Sequence, residues 1–385
     1  MVSSHVGSLF SDQEFKSRLE ATQAAISERG ADAALIHQPE HIYYLTGFPG
    51  PGAGFGINQV CIVPTAGDPI VVLRRMEEQP FLASSWVKEY ATWADHESTT
   101  GVIKGVMEKH SLADKRLAVE YDSWALTHAR FNKIKEALPK AQFVDFSRVL
   151  WYLRQRKSAE EIACIRQAAD ICVKAMKGAI DIIEPGRTER DVKRAVMEVY
   201  DEEGADGQSG CIITSGDNVR FVHASPSQRG LQKGDVIHME LFPAVHNYHA
   251  RIMRACVIGE PSTEQRRVAQ VLQEAQSEAI GLMKPGTVAK DIDRVCRENI
   301  EKAEVRGDWE SPYVNVTGYT LGIIFLPWAS DFSRCFLPNS DWVLEEGMVF
   351  HMYTFAQGIS FSETVHVTNS GPELLTNMER KLYVK

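Results

Sequence analysis

Long apolar runs are missing: nothing in the 385 residues approaches the roughly 20 needed to span a bilayer, so no membrane association is expected. Basic clusters are missing too. Lys and Arg number 42 against 51 Asp and Glu, a net charge of −9, with no extended run of either, which argues against a nucleic-acid partner. Cysteine is scattered, at Cys61, Cys164, Cys172, Cys211, Cys256, Cys296 and Cys335, an odd number with no C-x-x-C pair. Reduced thiols in a cytoplasmic protein are the expectation. The start, Met1 to His5, has no basic stretch leading into an apolar segment and small-residue cleavage site, so secretion is not expected. The glycine-rich stretch 47–56, GFPGPGAGFG, lacks both the G-x-G-x-x-G register and a G-K-[ST], leaving a surface loop and candidate lid rather than a phosphate cradle. What is there is ordinary: 44% hydrophobic and 24% charged residues, enough for about two domains.

The first 150 or so residues read as an α/β domain. Residues 12–29 have a helical pattern, Ala34-Leu35-Ile36 a short strand, and His41 to Leu45 an approach to the glycine-rich loop. Val60 to Val63 and Pro69 to Leu73 read as a hairpin around Thr65-Ala66-Gly67-Asp68. The boundary falls near 151–157, giving domains 1–152 and 153–385. Beyond it, Ser158 and Glu161 make a capping box ahead of an apolar helical stripe. The chain then echoes itself: Ile183-Glu184-Pro185-Gly186-Arg187-Thr188 returns as Met283-Lys284-Pro285-Gly286-Thr287-Val288 at an offset of 100. Each copy joins two helices and precedes a strand-like piece, 212–216 and 314–318. Two helix–helix–strand halves predict a pseudo-symmetric α/β (α+β) domain with its cleft where the halves meet.

The polar residues with chemical potential cluster in apolar surroundings. An extended Val236 to Phe242 puts His238, Glu240 and Phe242 on one face. A carboxylate there is costly unless paired or functional, and Arg251, in the next strand-like stretch, is its natural partner. His246 and His249 form an H-x-x-H, but odd spacing on a strand points them apart, against chelation.

These residues carry a resemblance covering essentially the whole chain. Residues 158–385 resemble the "pita-bread" family of creatinase, prolidase, aminopeptidase P and methionine aminopeptidase; the first 150, with HIYYLTGF, resemble the accessory domain of its creatinase and prolidase branch. The motifs are the capped linker helix after Arg154-x-x-Lys157-Ser158, the seventeen-residue interval from His223 to Glu240, Gly318-Tyr319-Thr320-Leu321-Gly322, and Gly347-Met348-Val349-Phe350 followed by Glu363 to Thr368. The family's peptidases hold two divalent metals on two Asp, one His and two Glu. The resemblance places Glu240, Arg251, Tyr319, Tyr353 and Ser362 at those positions, with Glu363 one residue beyond, and Leu326 where the peptidases keep a substrate-binding histidine. A guanidinium stays protonated and repels cations, so the expectation is no metal and no cofactor.

The resemblance is strongest to the metal-free creatinase and ectoine hydrolase branch. It implies hydrolysis of a carbon–nitrogen bond in a small polar molecule, a cyclic amidine, amide or guanidino-acid. Glu240 would be nucleophile or general base and His223 a proton shuttle. Arg251 would hold a substrate carboxylate or polarise a carbonyl, Tyr319 and Tyr353 would donate hydrogen bonds, and Glu363 is a further catalytic candidate. Phe242, Arg254, Trp328 and His351 are candidate substrate-binding residues. A homodimer with one subunit's N-terminal domain near the other's site is also implied. Two alternatives stand beside this reading: a metal-dependent Xaa-Pro dipeptidase, aminopeptidase or lyase on unusual ligands (Glu240, His238, His351, Glu363), and a catalytically inactive binding module.

Overall fold

The computed structural model describes residues 10–50, 58–207, 209–221, 223–306, 315–325 and 330–385. Trp328 and Leu326, most of the glycine-rich loop (51–57) and Val314 lie outside the described residues. The chain divides into two compact units, 1–154 with 325–329, and 155–324 with 330–385. No helix among the described residues is long and apolar enough to cross a membrane.

The first unit is built on a six-stranded sheet. Its strands are β1 (Ala33–Ile36), β2 (Val60–Pro64), β3 (Ile70–Arg74), β4 (Glu89–Trp93), β5 (Arg116–Val119) and β6 (Gln142–Asp145), in the order β4-β3-β2-β1-β5-β6. The β2–β3 hairpin is antiparallel as the sequence predicts. Helix α1 (Asp12–Glu28) starts where Ser11 accepts the Glu14 N–H. Residues 41–45 lead into the glycine-rich stretch as expected, and they do so as helix α2 (Pro39–Thr46), which ends at Gly47. Pro39 opens that helix, where its missing N–H costs nothing.

The second unit follows the internal echo. Helix α3 (Ala159–Asp181) begins at the Ser158–Glu161 capping box, an arrangement typically adding about 1 kcal/mol. After it come α4 (Glu189–Glu202), β7 (Gly210–Ser215), β8 (Val236–Phe242), β9 (Ala244–Val245), β10 (Tyr248–His249) and β11 (Ile252–Val257). The second half supplies α5 (Thr263–Gly281), α6 (Ala289–Lys302), β12 (Gly318–Thr320), β13 (Cys335–Phe336), β14 (Val349–Ala356), β15 (Ile359–Thr368), β16 (Gly371–Leu374) and β17 (Tyr383–Val384).

The two halves repeat down to single hydrogen bonds. Gly186 and Gly286 take φ of 92° and 87°, a left-handed conformation that favours glycine. Each then donates to a chain passing by, Gly186 to the Leu231 carbonyl (3.1 Å) and Gly286 to that of Leu344 (2.8 Å). The main sheet runs β13-β12-β14-β15-β11-β8-β7, so the pseudo-dyad passes between β15 and β11. Helices α5 and α6 bury apolar residues, Leu272, Ile292 and Cys296 among them, with Phe350, Met352, Phe361 and Val365. Those four side chains alternate with His351, Ser362 and Thr364, which therefore face the opposite side of the sheet. Chemistry gathers on that other side.

Candidate active site

Strand register places the candidate residues in rows. One row crosses the sheet through Ile212, Glu240, Met253, Ser362 and Tyr353. The next row on the same face carries Phe242 and Gly210 on one side and Thr364, His351 and Tyr319 on the other. Arg251, between β10 and β11, joins that row: its N–H donates to Thr364 Oγ1 (2.8 Å), whose hydroxyl donates back to the Arg251 carbonyl (2.9 Å). The sequence's predicted face of His238, Glu240 and Phe242 is therefore present.

At the centre, Arg251 Nη1 donates to Glu240 Oε1 (2.7 Å) and to the Tyr319 hydroxyl (2.6 Å). Glu240 is 2% and Arg251 5% exposed. The guanidinium also lies over the Phe242 ring, 4.7 Å from its centroid. Phe242 can lie there because residue 210 is glycine: a Cβ at Gly210 would stand 2.5 Å from the Phe242 ring. Burial pushes the Tyr319 and Tyr353 phenols well above their ordinary range, so both remain protonated hydrogen-bond donors. His351 lies 5.0 Å from the Tyr319 ring and is stacked 5.2 Å from Tyr353. Burial, and then Arg251, hold it well below the usual imidazole range, hence neutral. His238 is lowered to about 4 by burial, with His223 as a second, coulombic cause. Its Nδ1 meets Ser360 Oγ at 2.7 Å.

Several buried polar atoms on this face have no hydrogen-bond partner among the described residues: Thr214 Oγ1, His238 Nε2, Ser362 Oγ and both His351 nitrogens. Buried polar groups are normally satisfied, so the face is suited to a polar ligand. His223 is exposed, electrostatically within reach of His238 and outside the buried rows.

Two candidates do not join them. Glu363 pairs with Met352 across β14–β15, which turns its side chain to the helix-packed face. There it accepts from Arg254 Nη2 (2.7 Å) and Thr376 Oγ1 (2.5 Å), with Arg380 Nε at 3.6 Å. Arg254 spends all five N–H donors: on the carbonyls of Met253, Ser362, Glu379 and Met378, and on Glu363. A guanidinium has no sixth N–H, so Arg254 is a structural clamp and not a substrate-binding residue. Ser362, which shares the row of Glu240, is the residue of this pair that faces the site.

The chain matches metallopeptidase family M24 over residues 163–369 and the creatinase/prolidase N-terminal domain over 18–156. It belongs to metallopeptidase family M24. Among its relatives, the Xaa-Pro dipeptidase of Pyrococcus furiosus is 26% identical over 375 residues, covering 95% of this chain and 99% of that protein. The ectoine hydrolase of Halomonas elongata is 23% identical over 403 residues, covering 98% of each. The solved prolidase from Thermococcus sibiricus shares the fold, with a TM-score of 0.84 at 24% identity, covering 97% of this chain and 100% of that one.

Membership of a metallopeptidase family implies divalent metal, and the donors present do not fit it. Of the five positions that the resemblance assigns to ligands, Glu240 alone is a carboxylate, and a guanidinium is bonded to it. Tyr319, Tyr353 and Ser362 offer neutral hydroxyls where the peptidases use carboxylates and imidazole, too little negative charge for two dications. The alternative set of Glu240, His238, His351 and Glu363 fails because Glu363 is on the opposite face. Among the described residues no group of three or more His, Cys, Asp and Glu side chains could hold an ion.

Proposed function

We propose that this hydrolase cleaves a carbon–nitrogen bond of a small zwitterion, a cyclic amidine or guanidino-acid, without a metal ion. The observation that carries the reading is the buried Arg251 guanidinium bridging Glu240 and the Tyr319 hydroxyl. The pair sums to no net charge, and it presents a carboxylate and a guanidinium side by side. A molecule with one carboxylate and one delocalised cation is complementary to both. Arg251 orients the substrate carboxylate, and Glu240 takes a proton from the attacking water. The water oxygen bonds to the amidine carbon as the C=N π pair moves onto nitrogen; the tetrahedral adduct then collapses, the C–N bond breaking with its electron pair leaving on nitrogen, and solvent-exposed His223 gives that nitrogen its proton. Tyr319 and Tyr353 donate to the charge developing at the reacting centre. The partnerless Ser362 and His351 bind the remaining polar atoms of the substrate. The ectoine hydrolase relative at full-length coverage supports the substrate class.

Turnover of amidine, amide and guanidino-acid panels in EDTA, on wild type and Glu240→Gln, tests the proposal. EDTA-resistant turnover that the substitution abolishes is expected; chelator-sensitive turnover, or cleavage of Xaa-Pro dipeptides instead, contradicts it. The proposal extends by resemblance to a cytoplasmic homodimer, and a monomeric mass by light scattering would remove the dimer.

A further inference from the structure

Phe332 has no place in the sequence motifs, yet it sits on the site. Its ring centroid is 4.6 Å from that of Tyr319, whose hydroxyl takes the Arg251 hydrogen bond. Its backbone is left-handed, with φ of 44°, a conformation that bulky residues avoid and that persists only where the surroundings over-determine it. Here they do. Buried Asp331 accepts from Thr320 Oγ1 and from the Ser333 N–H (2.8 Å), Ser330 Oγ donates to the Thr320 carbonyl (3.1 Å), and the Arg334 N–H donates to Thr320 Oγ1 (3.2 Å). Thr320 is the neighbour of Tyr319 on β12, so the turn hangs from the strand that supplies the site. Four hydrogen bonds, three of them buried, hold a strained residue that remains 38% exposed.

We infer that Phe332 is a specificity residue: together with Tyr319 it offers an aromatic face to the planar, delocalised cation of the substrate and discriminates against neutral isosteres. The inference rests on the hydrolase reading above and names the residue that selects its substrate class. A cation over an aromatic face is favoured through the ring quadrupole, about tenfold in a partly desolvated site. A neutral urea of the same shape lacks that attraction.

Calorimetric titration of the full chain with guanidinoacetate and with its neutral isostere N-carbamoylglycine tests this, on wild type, Phe332→Leu and Phe332→Gly. Wild type is expected to prefer the guanidino compound about tenfold, and both variants to lose that preference. Thermal stability of Phe332→Gly should hold or rise, because glycine adopts the left-handed backbone without strain. A preference retained in the variants overturns the role of Phe332 and leaves the hydrolase reading standing. Wild type binding neither compound overturns the inference, while the hydrolase reading stands or falls separately on the EDTA-resistant turnover above. A markedly lower melting temperature in Phe332→Gly shows a packing ring and overturns the inference.

Discussion

Two buried Arg–Glu pairs lie back to back on one sheet, their arginines three residues apart, in opposite surroundings. Arg254–Glu363 and Arg251–Glu240 are both 2.7 Å contacts with almost no exposure. By distance and burial they cannot be told apart. Their remaining partners separate them: the first pair is closed by four carbonyls and a threonine hydroxyl, on the face covered by helices. The second leans on a phenol and an aromatic ring, beside serine and histidine atoms that lack partners. The neighbours of each pair, rather than its burial, distinguish a clamp from a candidate site.

The sharpest way to break that contrast is to remove one charge from each pair. Glu240→Gln is expected to lower turnover at least ~1,000-fold, the scale at which a positioned acid–base group acts. Glu363→Gln should leave kcat of the folded protein within about threefold. Equal losses in the two variants would erase the distinction. Arg254→Met should cost about 3–5 kcal/mol in urea unfolding, since it strands a buried carboxylate; a loss below 1 kcal/mol would mean the clamp is dispensable.

Acid should weaken the fold, with the site face contributing. Burial lowers His37 to about 4, His238 to about 4 and His249 to about 3. Unfolded imidazoles titrate near 6.5, so below that pH the unfolded chain binds protons that the folded chain refuses, and stability falls until the folded values are reached. Glu40 opposes this: burial raises it to about 7, which stabilises the fold at low pH and is lost as pH rises through 7. Burial lowers His41 and His351 as well and raises Asp122 and Glu363; five imidazoles against three carboxyls predict a lower urea midpoint at pH 5 than at pH 7.5, and a higher midpoint at pH 5 contradicts the assignment of neutral histidines. Tyr319→Phe, the mildest change, removes the hydroxyl that Arg251 holds, and about a tenfold loss in kcat with KM little changed is expected. A rise in KM alone would make Tyr319 a binding residue.

Much of this was legible in the sequence where a local rule applies. The Ser158–Glu161 box marks a real helix start, and the Gly186 and Gly286 echo marks two halves with matching hydrogen bonds. The alternation in β8 puts His238, Glu240 and Phe242 on one face, with Arg251 as the partner of Glu240. Glu363 was misplaced because a strand has period two, so a one-residue ambiguity in alignment moves a side chain to the opposite face. Arg254 was ambiguous because its partners, at 362, 378 and 379, come from remote segments. Phe332 carried no signal at all: its position depends on hydrogen bonds from its turn to Thr320 and on a ring contact with Tyr319.

The central claim is that Arg251 holds the position that inorganic cations take in metal-dependent members of the family. Calorimetric titration of the purified chain with Mn2+ and Co2+ tests it most directly. The account predicts no stoichiometric binding of either ion to wild type. Two equivalents bound at micromolar affinity, and lost in Glu240→Gln, would contradict it.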